Sequence, residues 1–230
     1  ETKDFKWSTD FIFSHSKNTV TDLDSRANIM QMITGTGFTM NGYPVRSLFS
    51  IDFKGLNNKG LPIVVNQDGE ETSYGGDLYF QSTTTDYLKY EGPTDPTING
   101  SFGNTFSYKG LKLNVFITYA AGNKVRLDPA FSSSYSDMTA MPKEFINRWT
   151  QAGDEAYTDV PVIADQRMKQ NDNYIGYLYN AYNYSTARVA KGDFIRMKEI
   201  SLAYDFPGKW IQALRLNSVN LKLQATNLFL

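Results

Sequence analysis

Residues 101–122, SFGNTFSYKGLKLNVFITYAAG, constrain the fold more tightly than any other part of the sequence. Two runs of alternating apolar and polar residues flank Lys109-Gly110, and a glycine in this place suits a two-residue β-turn because it tolerates positive φ. Such a turn pairs Tyr108 with Leu111 and gives each strand one apolar face and one polar face, with Asn104 and Phe116 as the exceptions. A slip of one residue would invert both faces, so the pattern predicts a single register.

The same alternation recurs elsewhere, which predicts an all-β, antiparallel fold. Four further segments carry it, at 5–13, 45–54, 199–206 and 219–226, so that six strands are expected. Each strand has roughly ten residues, whereas the usual globular strand has about 5–6. Aromatic residues make up 14% of the chain, with 15 Tyr and 15 Phe, and they too favour strands.

The predicted connections differ greatly in length. Two of them, at about 55–100 and 120–192, far exceed the ~12–15 residues above which loops in compact domains are usually functional. If Lys109-Gly110 lies at one rim, strand parity places both long connections at the opposite rim. Short turns at one rim and long loops at the other are typical of bacterial outer-membrane barrels. Six strands cannot close such a barrel, so the pattern indicates part of a larger one.

Composition excludes several classes of function. The 23 basic and 24 acidic residues nearly cancel, which argues against a nucleic-acid partner. The absence of cysteine excludes disulfides and thiolate metal sites, and His15 is the one histidine. Carboxylate pairs such as Asp154 and Glu155 lie in predicted loops with no nucleophile or second imidazole to complete a catalytic group. The sequence therefore predicts no enzyme, no metal site and no cofactor.

Six segments, in order along the chain, resemble the SusC/RagA family of TonB-linked outer-membrane transporters. They are FKWSTDFIFSHSKNTVTDL (5–23), GYPVRSLFSIDFKGLNNKGLPIV (42–64), FGNTFSYKGLKLNVFITYAAGNKV (102–125), NRWTQAGDEAYTDVPV (147–162), GDFIRMKEISLAYDFP (192–207) and LKLQATNLF (221–229). Any one of these matches is weak, but six in sequence are specific. Lys112 and Asn57 stand where the family often has Asp.

The resemblance implies a fold and a set of partners. Members of the family form barrels of about 22 strands with an internal plug, and they pair with a SusD-like surface lipoprotein. They import glycans, peptides or other nutrients with the TonB system. Residues 1–230 are accordingly expected to be the C-terminal portion of a transmembrane β-barrel with long extracellular loops, with the plug and the TonB-coupling residues outside this chain. The expected location is the outer membrane of a Gram-negative bacterium, in contact with the lipid bilayer.

Two sets of candidate site residues follow. Aromatic side chains of the second long loop, which offer flat amphipathic faces, are predicted to bind substrate or partner, and they are Trp149, Tyr174, Tyr177, Tyr179, Tyr182 and Tyr184. The alternative is a loop that packs on itself, with Trp149 anchoring its own segment. Polar strand residues are predicted to face the barrel lumen, and they are Lys6, Asp10, Arg46, Asp52, Lys54, Lys112 and Asn114.

A second interpretation of the alternation stays open at this stage. The apolar strand faces could form the core of a soluble, secreted β-sandwich that binds glycans. The two interpretations differ in what covers the apolar face: lipid in a barrel, and a second sheet in a sandwich.

Overall fold

The computed structural model describes residues 4–24, 26–135, 138, 140–212 and 215–229. The chain divides into two compact units. We call the first the sheet unit, and it consists of Glu1–Lys17, Pro96–Gly122 and Gly192–Leu230. We call the second the insert unit, and it consists of Asn18–Asp95 and Asn123–Lys191.

Strands dominate the described residues. In chain order they are β1 (Phe5–His15), β2 (Ser47–Ser50), β3 (Phe53–Leu56), β4 (Pro62–Val65), β5 (Glu71–Thr72), β6 (Lys89–Pro93), β7 (Ile98–Tyr108), β8 (Leu111–Ala121), β9 (Lys124–Arg126), β10 (Val189–Lys191), β11 (Phe194–Asp205) and β12 (Asn220–Thr226). The α-helices are α1 (Ile29–Ile33), α2 (Gln166–Asn171), α3 (Ile175–Asn183) and α4 (Gly208–Ile211). Within the described ranges, no helix is both long enough and apolar enough to cross a membrane.

The sheet unit is built on one antiparallel sheet with the order β1-β7-β8-β11-β12. Tyr108 pairs with Leu111 across the two-residue turn, as the sequence predicts. Lys109 and Gly110 have φ of 46° and 86°, the left-handed pair of values that lets a tight turn follow the strand twist. The predicted hairpin and its register are therefore confirmed.

Pairing across the sheet sorts most residues into rows of one polarity, although Asn104 lies in an apolar row and Phe116 in a polar row. One face carries the row Ser8, Thr105, Asn114, Ser201 and Gln224. The next row on the opposite face is Trp7, Phe106, Leu113, Leu202 and Leu223. Because opposed residues in an antiparallel pair share a face, the alternation within each strand becomes one polar and one apolar surface on the whole sheet.

Both long connections leave the sheet at the same end. Phe5, Tyr108, Leu111 and Tyr204 form the row beside the Lys109-Gly110 turn. The connection from β1 to β7 and the connection from β8 to β11 both start and finish at the other end of the sheet. The predicted end of the sheet is therefore confirmed for both long connections, but the first of them runs from β1 to β7 and does not start from a strand at 45–54.

A cross-strand contact ties three strands together near that other end. The Tyr119 hydroxyl donates to the Ile12 carbonyl over 3.1 Å, although β1 and β8 are separated by β7. The ring reaches across because Gly100 lies between them, and a Cβ at Gly100 would collide with both the hydroxyl and the Ile12 carbonyl. The glycine in β7 is thus a site of close approach, which is one of the reasons for glycine inside a strand.

The insert unit contains three small sheets, which are β2-β6, β9-β10 and β3-β4-β5. Its first core cluster joins α1, β2 and α3 through apolar side chains such as Ile29, Phe49 and Leu178. A capping box starts α1, because the Asn28 side chain accepts from the Gln31 N–H and the Gln31 side chain accepts from the Asn28 N–H. Much of the sequence of both long connections therefore packs around a core of its own.

The prediction of one long strand at 45–54 is wrong. The chain there forms β2 and β3, which belong to different sheets of the insert unit. Arg46 has φ of 59°, and Ser47–Ser50 is buried at every position, so the polar residues do not face solvent. Ser47 Oγ donates to the Pro44 carbonyl over 2.6 Å and Ser50 Oγ accepts from Arg126 over 3.1 Å, and these bonds allow both serines to be buried.

We predict that Gly110→Ala destabilises the β7–β8 hairpin. The left-handed backbone conformation would cost alanine roughly 1–2 kcal/mol. The alanine Cβ would also lie 2.7 Å from the Asp205 carbonyl oxygen. Thermal unfolding of the purified full-length protein should show a lower midpoint for this variant. Gly208→Ala is the control, since that glycine has neither a positive φ nor an atom within 4 Å of the added Cβ. Equal midpoints for the two variants would contradict the assignment.

Candidate binding site

The tyrosine-rich run forms a helix with one buried face. Ile175, Leu178, Tyr179 and Tyr182 follow the spacing i, i+3, i+4, i+7 within α3, and all four are buried. Tyr179 and Tyr182 are each only 2% exposed. The Tyr179 hydroxyl donates to the Val162 carbonyl, and burial raises the pKa of both tyrosines above the ordinary 10. Both side chains are therefore part of the core, and their predicted role in binding substrate or partner stays a prediction.

The exposed tyrosine cluster comprises Tyr74, Tyr174 and Tyr177. Tyr174 is 48% exposed and Tyr177 is 49% exposed. Their rings are stacked with centroids 6.1 Å apart and an interplanar angle of 22°. Tyr74 meets Tyr174 edge-on at 6.1 Å. The predicted role of Tyr174 and Tyr177 in binding stays a prediction, and the structure adds Tyr74, which the sequence gives no periodic signal to select.

A polar cleft lies beside this cluster, and we call it the α3 cleft. Its volume is about 470 Å³. Residues of α3 form one wall together with Asn173, which lies two residues before the helix, and the other wall is a segment that includes Phe131. The lining residues are Phe131, Ser132, Ser133, Asn173, Gly176, Tyr177, Tyr179, Asn180 and Asn183.

Asn183 holds the two walls of the cleft together. Its buried side chain donates to the Phe131 carbonyl over 2.7 Å and accepts from the Phe131 N–H over 3.0 Å. This amide therefore supplies both hydrogen bonds that a paired strand residue would supply to Phe131. Because the Asn183 amide is hydrogen-bonded to the Phe131 backbone, it fixes the shape of the cleft and does not reach into it.

Trp149 anchors its own loop. Its indole N–H donates to Glu155 over 2.8 Å and its ring lies against Gly60, where a Cβ would collide with the ring. The Val162 N–H also donates to the Gly60 carbonyl over 3.0 Å. Two of the segments that carry the family resemblance, 42–64 and 147–162, therefore contact each other here. Trp149 is half-buried in this contact, which supports the alternative in which it anchors its segment.

The turn after Trp149 is held by two carboxylates. Asp154 accepts from the Thr150 N–H, the Thr150 hydroxyl and the Gln151 N–H. These bonds, the one from the Thr150 N–H above all, lower the pKa of Asp154 below its ordinary 3.8. The bond from the Trp149 indole is the main cause that lowers the pKa of Glu155 below 4.5. Both groups therefore serve the turn as ionised acceptors.

Tyr184 follows the last residue of α3 and makes structural contacts there. Its carbonyl accepts from the Ile51 N–H over 3.1 Å, and the Arg126 guanidinium lies over its ring at 5.6 Å. Arg126 also donates to the Phe49 carbonyl over 2.5 Å, and burial lowers the pKa of Arg126 to about 10. The predicted binding role of Tyr184 is not tested by these contacts.

The predicted lumen residues fall into two groups. Lys6, Asp10, Lys112 and Asn114 all lie on the polar face of the five-stranded sheet. The structure adds residues of β11 and β12 to that face, where Lys222 lies 3.9 Å from Glu199. Alternation in the sequence already places these two residues on the polar side of their strands.

Arg46, Asp52 and Lys54 lie instead in the insert unit. Arg46 pairs with Asp95 at 2.9 Å, and Lys54 pairs with Asp52 at 2.9 Å. These three residues were assigned to the lumen because the sequence predicts a single strand at 45–54. The structure has no such strand, so alternation does not support the assignment. Among the described residues, no group of three or more His, Asp or Glu side chains is placed to hold a metal ion.

Comparison with known proteins identifies similar receptors. The chain is 22% identical to TonB-dependent receptor P3 of Formosa agariphila over 239 residues, a match that covers 98% of this chain and 22% of the relative. It is 23% identical to TonB-dependent receptor P39 of the same organism, with 98% and 25% covered. This chain spans about a quarter of the length of these relatives. No family model matches it.

Solved structures show the same fold. A chain of the RagAB peptide transporter aligns with all of this chain at a TM-score of 0.68 and 21% identity, over 24% of its own length. A chain of the RagAB peptide importer in the open-open state aligns at a TM-score of 0.65. The chain thus has the fold of a segment of these transporters, and its relatives are TonB-dependent receptors. The resemblance to the SusC/RagA family is confirmed, and the prediction of a non-enzymatic protein agrees with the names of these relatives.

We predict that Gly60→Ala is more destabilising than Gly69→Ala. Both glycines have positive φ, 73° and 79°, so alanine is strained by the left-handed backbone in both variants. Only Gly60 also has the Trp149 ring in the path of the added Cβ, and this overpacking should cost about 1–3 kcal/mol more. Thermal unfolding of the full-length protein measures the difference. Trp149→Ala should reduce the extra cost in the double variant, and strict additivity would contradict the contact.

We predict that the turn held by Asp154 and Glu155 loosens in acid. A carboxylate whose folded pKa is depressed contributes stability that is complete above its unfolded pKa and is lost as the pH falls through the folded value. The contributions of Asp154 and Glu155 are therefore present above their ordinary values of 3.8 and 4.5 and are lost below them. Pepsin cleavage within 149–158, followed by mass spectrometry, should accelerate in this range relative to the rest of the chain.

Asp154→Asn tests the cause of this acid response. Its cleavage should be faster than that of the wild type where Asp154 is ionised, and the two rates should converge in acid. Asp86→Asn is the control, because the Asp86 carboxylate bonds to no other described residue. A constant ratio of the wild-type and Asp154→Asn rates at every pH would contradict the prediction.

Proposed function

We propose that this chain forms part of the outer-membrane β-barrel of a SusC-like, TonB-dependent nutrient importer in a Gram-negative bacterium. The observation that carries the proposal is the exposed apolar face of the five-stranded sheet. Trp7 is 61% exposed, Phe11 is 66% exposed and Leu223 is 65% exposed. A contiguous apolar surface of this kind marks contact with lipid or with another protein.

The arrangement of strands favours lipid over a soluble core. A β-sandwich covers its apolar face with a second sheet, but every described strand of the sheet unit belongs to the same sheet. The strands of this sheet are mostly 11 or 12 residues long, which suits the ~9–11 residues of a tilted membrane-spanning strand. The soluble glycan-binding sandwich is the less supported alternative.

The two edges of the sheet also support a larger barrel. β1 and β12 each have one neighbour, so each presents a row of backbone groups to a further strand. In a barrel these edges would pair with strands from the remainder of the protein. Aromatic residues Phe5, Tyr108 and Tyr204 lie in the row beside the short turn, where an interfacial girdle is expected.

The proposal gives each surface a role. Lys6, Asp10, Lys112 and Asn114 would face the lumen or the plug. The insert unit would be extracellular, where Tyr174 and Tyr177 would meet substrate or a SusD-like surface lipoprotein. Residues 1–230 would be the C-terminal portion of the barrel, and other parts of the protein would supply the plug and the TonB coupling.

Fractionation of cells that express the full-length protein tests this function. The protein should sediment with the outer membrane, resist extraction with carbonate, and co-purify in mild detergent with a surface lipoprotein. Recovery in the soluble periplasm or the culture medium would overturn the proposal and favour the secreted sandwich.

We predict that Val115→Arg and Asn114→Arg behave differently. The two residues are neighbours near the middle of β8 and lie on opposite faces. A lipid-facing arginine near the bilayer midplane costs about 2–4 kcal/mol, whereas an arginine in a wet lumen is tolerated. The amount of folded protein in the outer membrane should fall for Val115→Arg and stay near the wild-type level for Asn114→Arg. Equal levels would contradict the assigned faces.

A further inference from the structure

We propose that the connection between β11 and β12 binds the anionic headgroup of a phospholipid in the periplasmic leaflet of the membrane. The inference rests on the proposed importer function, because that function places the sheet in a bilayer. It concerns residues 206–219, which we call the rim connection. Three features carry it: the position of this connection, its exposed tryptophan, and an arginine in a backbone conformation that favours glycine.

The rim connection lies at the short-turn end of the sheet. The Asp205 N–H, just before it, donates to the Gly110 carbonyl over 2.9 Å. The Phe206 N–H donates to the Val219 carbonyl over 3.0 Å, which joins the two ends of the connection. In outer-membrane barrels the short turns face the periplasm. The rim connection would therefore meet the periplasmic leaflet at the level where the apolar tails give way to the headgroups.

A series of aromatic rings extends the apolar face of the sheet into the rim connection. Tyr204, in the apolar row beside the short turn, meets Phe206 with ring centroids 5.0 Å apart. Phe206 in turn meets Trp210 of α4 at 6.5 Å. Trp210 is 64% exposed, whereas the next residue, Ile211, is 5% exposed. An exposed indole beside an apolar face is typical of a membrane–water interface, because its ring suits the tails and its N–H suits the headgroups.

The charge of the rim connection is positive. It contains Lys209 and Arg215 and no aspartate or glutamate, and both basic residues are exposed. The preceding acidic residue, Asp205, lies on the polar face of the sheet. Lys109, in the adjoining turn, is offset by Asp4 at 3.9 Å. Because basic side chains beside a membrane attract anionic lipids, the two cations of the rim connection complement an anionic headgroup.

Arg215 occupies a backbone conformation that favours glycine. Its φ is 55°, and its N–H donates to the Gln212 carbonyl over 3.0 Å. Residues other than glycine, asparagine and aspartate are strained there. None of the ion pairs among the described residues uses the Arg215 guanidinium. Strain of this kind is typical of functional positions, and a guanidinium can donate two parallel hydrogen bonds to a phosphate.

Native mass spectrometry of the detergent-purified full-length protein tests the inference. Phosphatidylglycerol is the anionic probe, phosphatidylcholine is the neutral probe, and inorganic phosphate is the free-anion probe. We expect phosphatidylglycerol to bind at least about 5-fold more tightly than phosphatidylcholine, which is the contribution of a single basic residue near a lipid surface. Inorganic phosphate at the same concentration should displace neither lipid.

Two matched pairs of variants place the binding in the rim connection. Arg215→Asn removes the charge but tolerates the left-handed backbone, so it should raise the unfolding midpoint and weaken phosphatidylglycerol binding roughly 5-fold. Arg215→Lys keeps the charge without the paired donors and should weaken binding only about 2-fold. Lys209→Gln should weaken binding roughly 5-fold, whereas Lys59→Gln makes the same change in the insert unit and should leave the Kd unchanged.

Photo-crosslinking in cells identifies what occupies the site. Trp210→p-benzoylphenylalanine places a photoreactive group at the exposed position of α4, and irradiation should attach phospholipid to it. Tyr157→p-benzoylphenylalanine is the control, because Tyr157 is an exposed residue of the insert unit and should capture no phospholipid. Attachment of a protein at position 210 in place of phospholipid would overturn the inference.

The outcomes separate this inference from the proposed function. Equal Kd values for phosphatidylglycerol in the wild type, Arg215→Asn and Lys209→Gln would overturn the inference even if the protein lies in the outer membrane. Displacement of the lipid by inorganic phosphate would overturn it as well, and so would a lower unfolding midpoint for Arg215→Asn. Phosphatidylglycerol binding that depends on Lys209 and Arg215, in a protein recovered from the soluble periplasm, would support the headgroup site but overturn the importer proposal.

Discussion

The turn at Lys109-Gly110 fixes the register on which the two surfaces of the sheet depend. Both residues have positive φ, so this turn holds Tyr108 opposite Leu111. Most later pairs then oppose residues of like polarity, with Asn104 opposite Val115 and Gly103 opposite Phe116 as exceptions, and the same rows continue through β1, β11 and β12. A shift of β7 by one residue would place Phe102 and Phe106 on the polar face. The division between an apolar face and a polar face, from which the importer proposal is argued, therefore depends on this register.

Local signals in the sequence predicted this part of the fold well. The hairpin, its turn, β1, β11 and β12 all follow from a period of two, and the long connections leave at the end that strand parity requires. The polar positions Lys6, Asp10, Lys112 and Asn114 were assigned correctly to one face for the same reason. Period-two alternation suffices here because a single-layer sheet has one environment on each side.

The remainder depends on contacts between residues far apart in the sequence. Ser50 is buried within β2, where Arg126, 76 residues away, donates to it, and no pattern within 45–54 contains that information. The tyrosine run is a different case. The spacing of Ile175, Leu178, Tyr179 and Tyr182 indicates a helix with a buried face, but a run rich in tyrosine also suggests an exposed binding loop. Its exposed residues, Tyr174 and Tyr177, became a candidate surface only when the structure placed the α3 cleft beside them.

The bond from Tyr119 to the Ile12 carbonyl bears on how the insert unit folds. Because it joins β1 to β8 across β7, the strand ends from which both long connections depart are held together. The first connection begins and finishes on β1 and β7 and the second on β8 and β11, and each of these pairs is adjacent in the sheet. Loop-closure entropy depends on bringing chain ends together, and here the sheet supplies that closure. Each connection thus has both of its ends on paired strands, which lowers the closure entropy that the core of the insert unit has to offset.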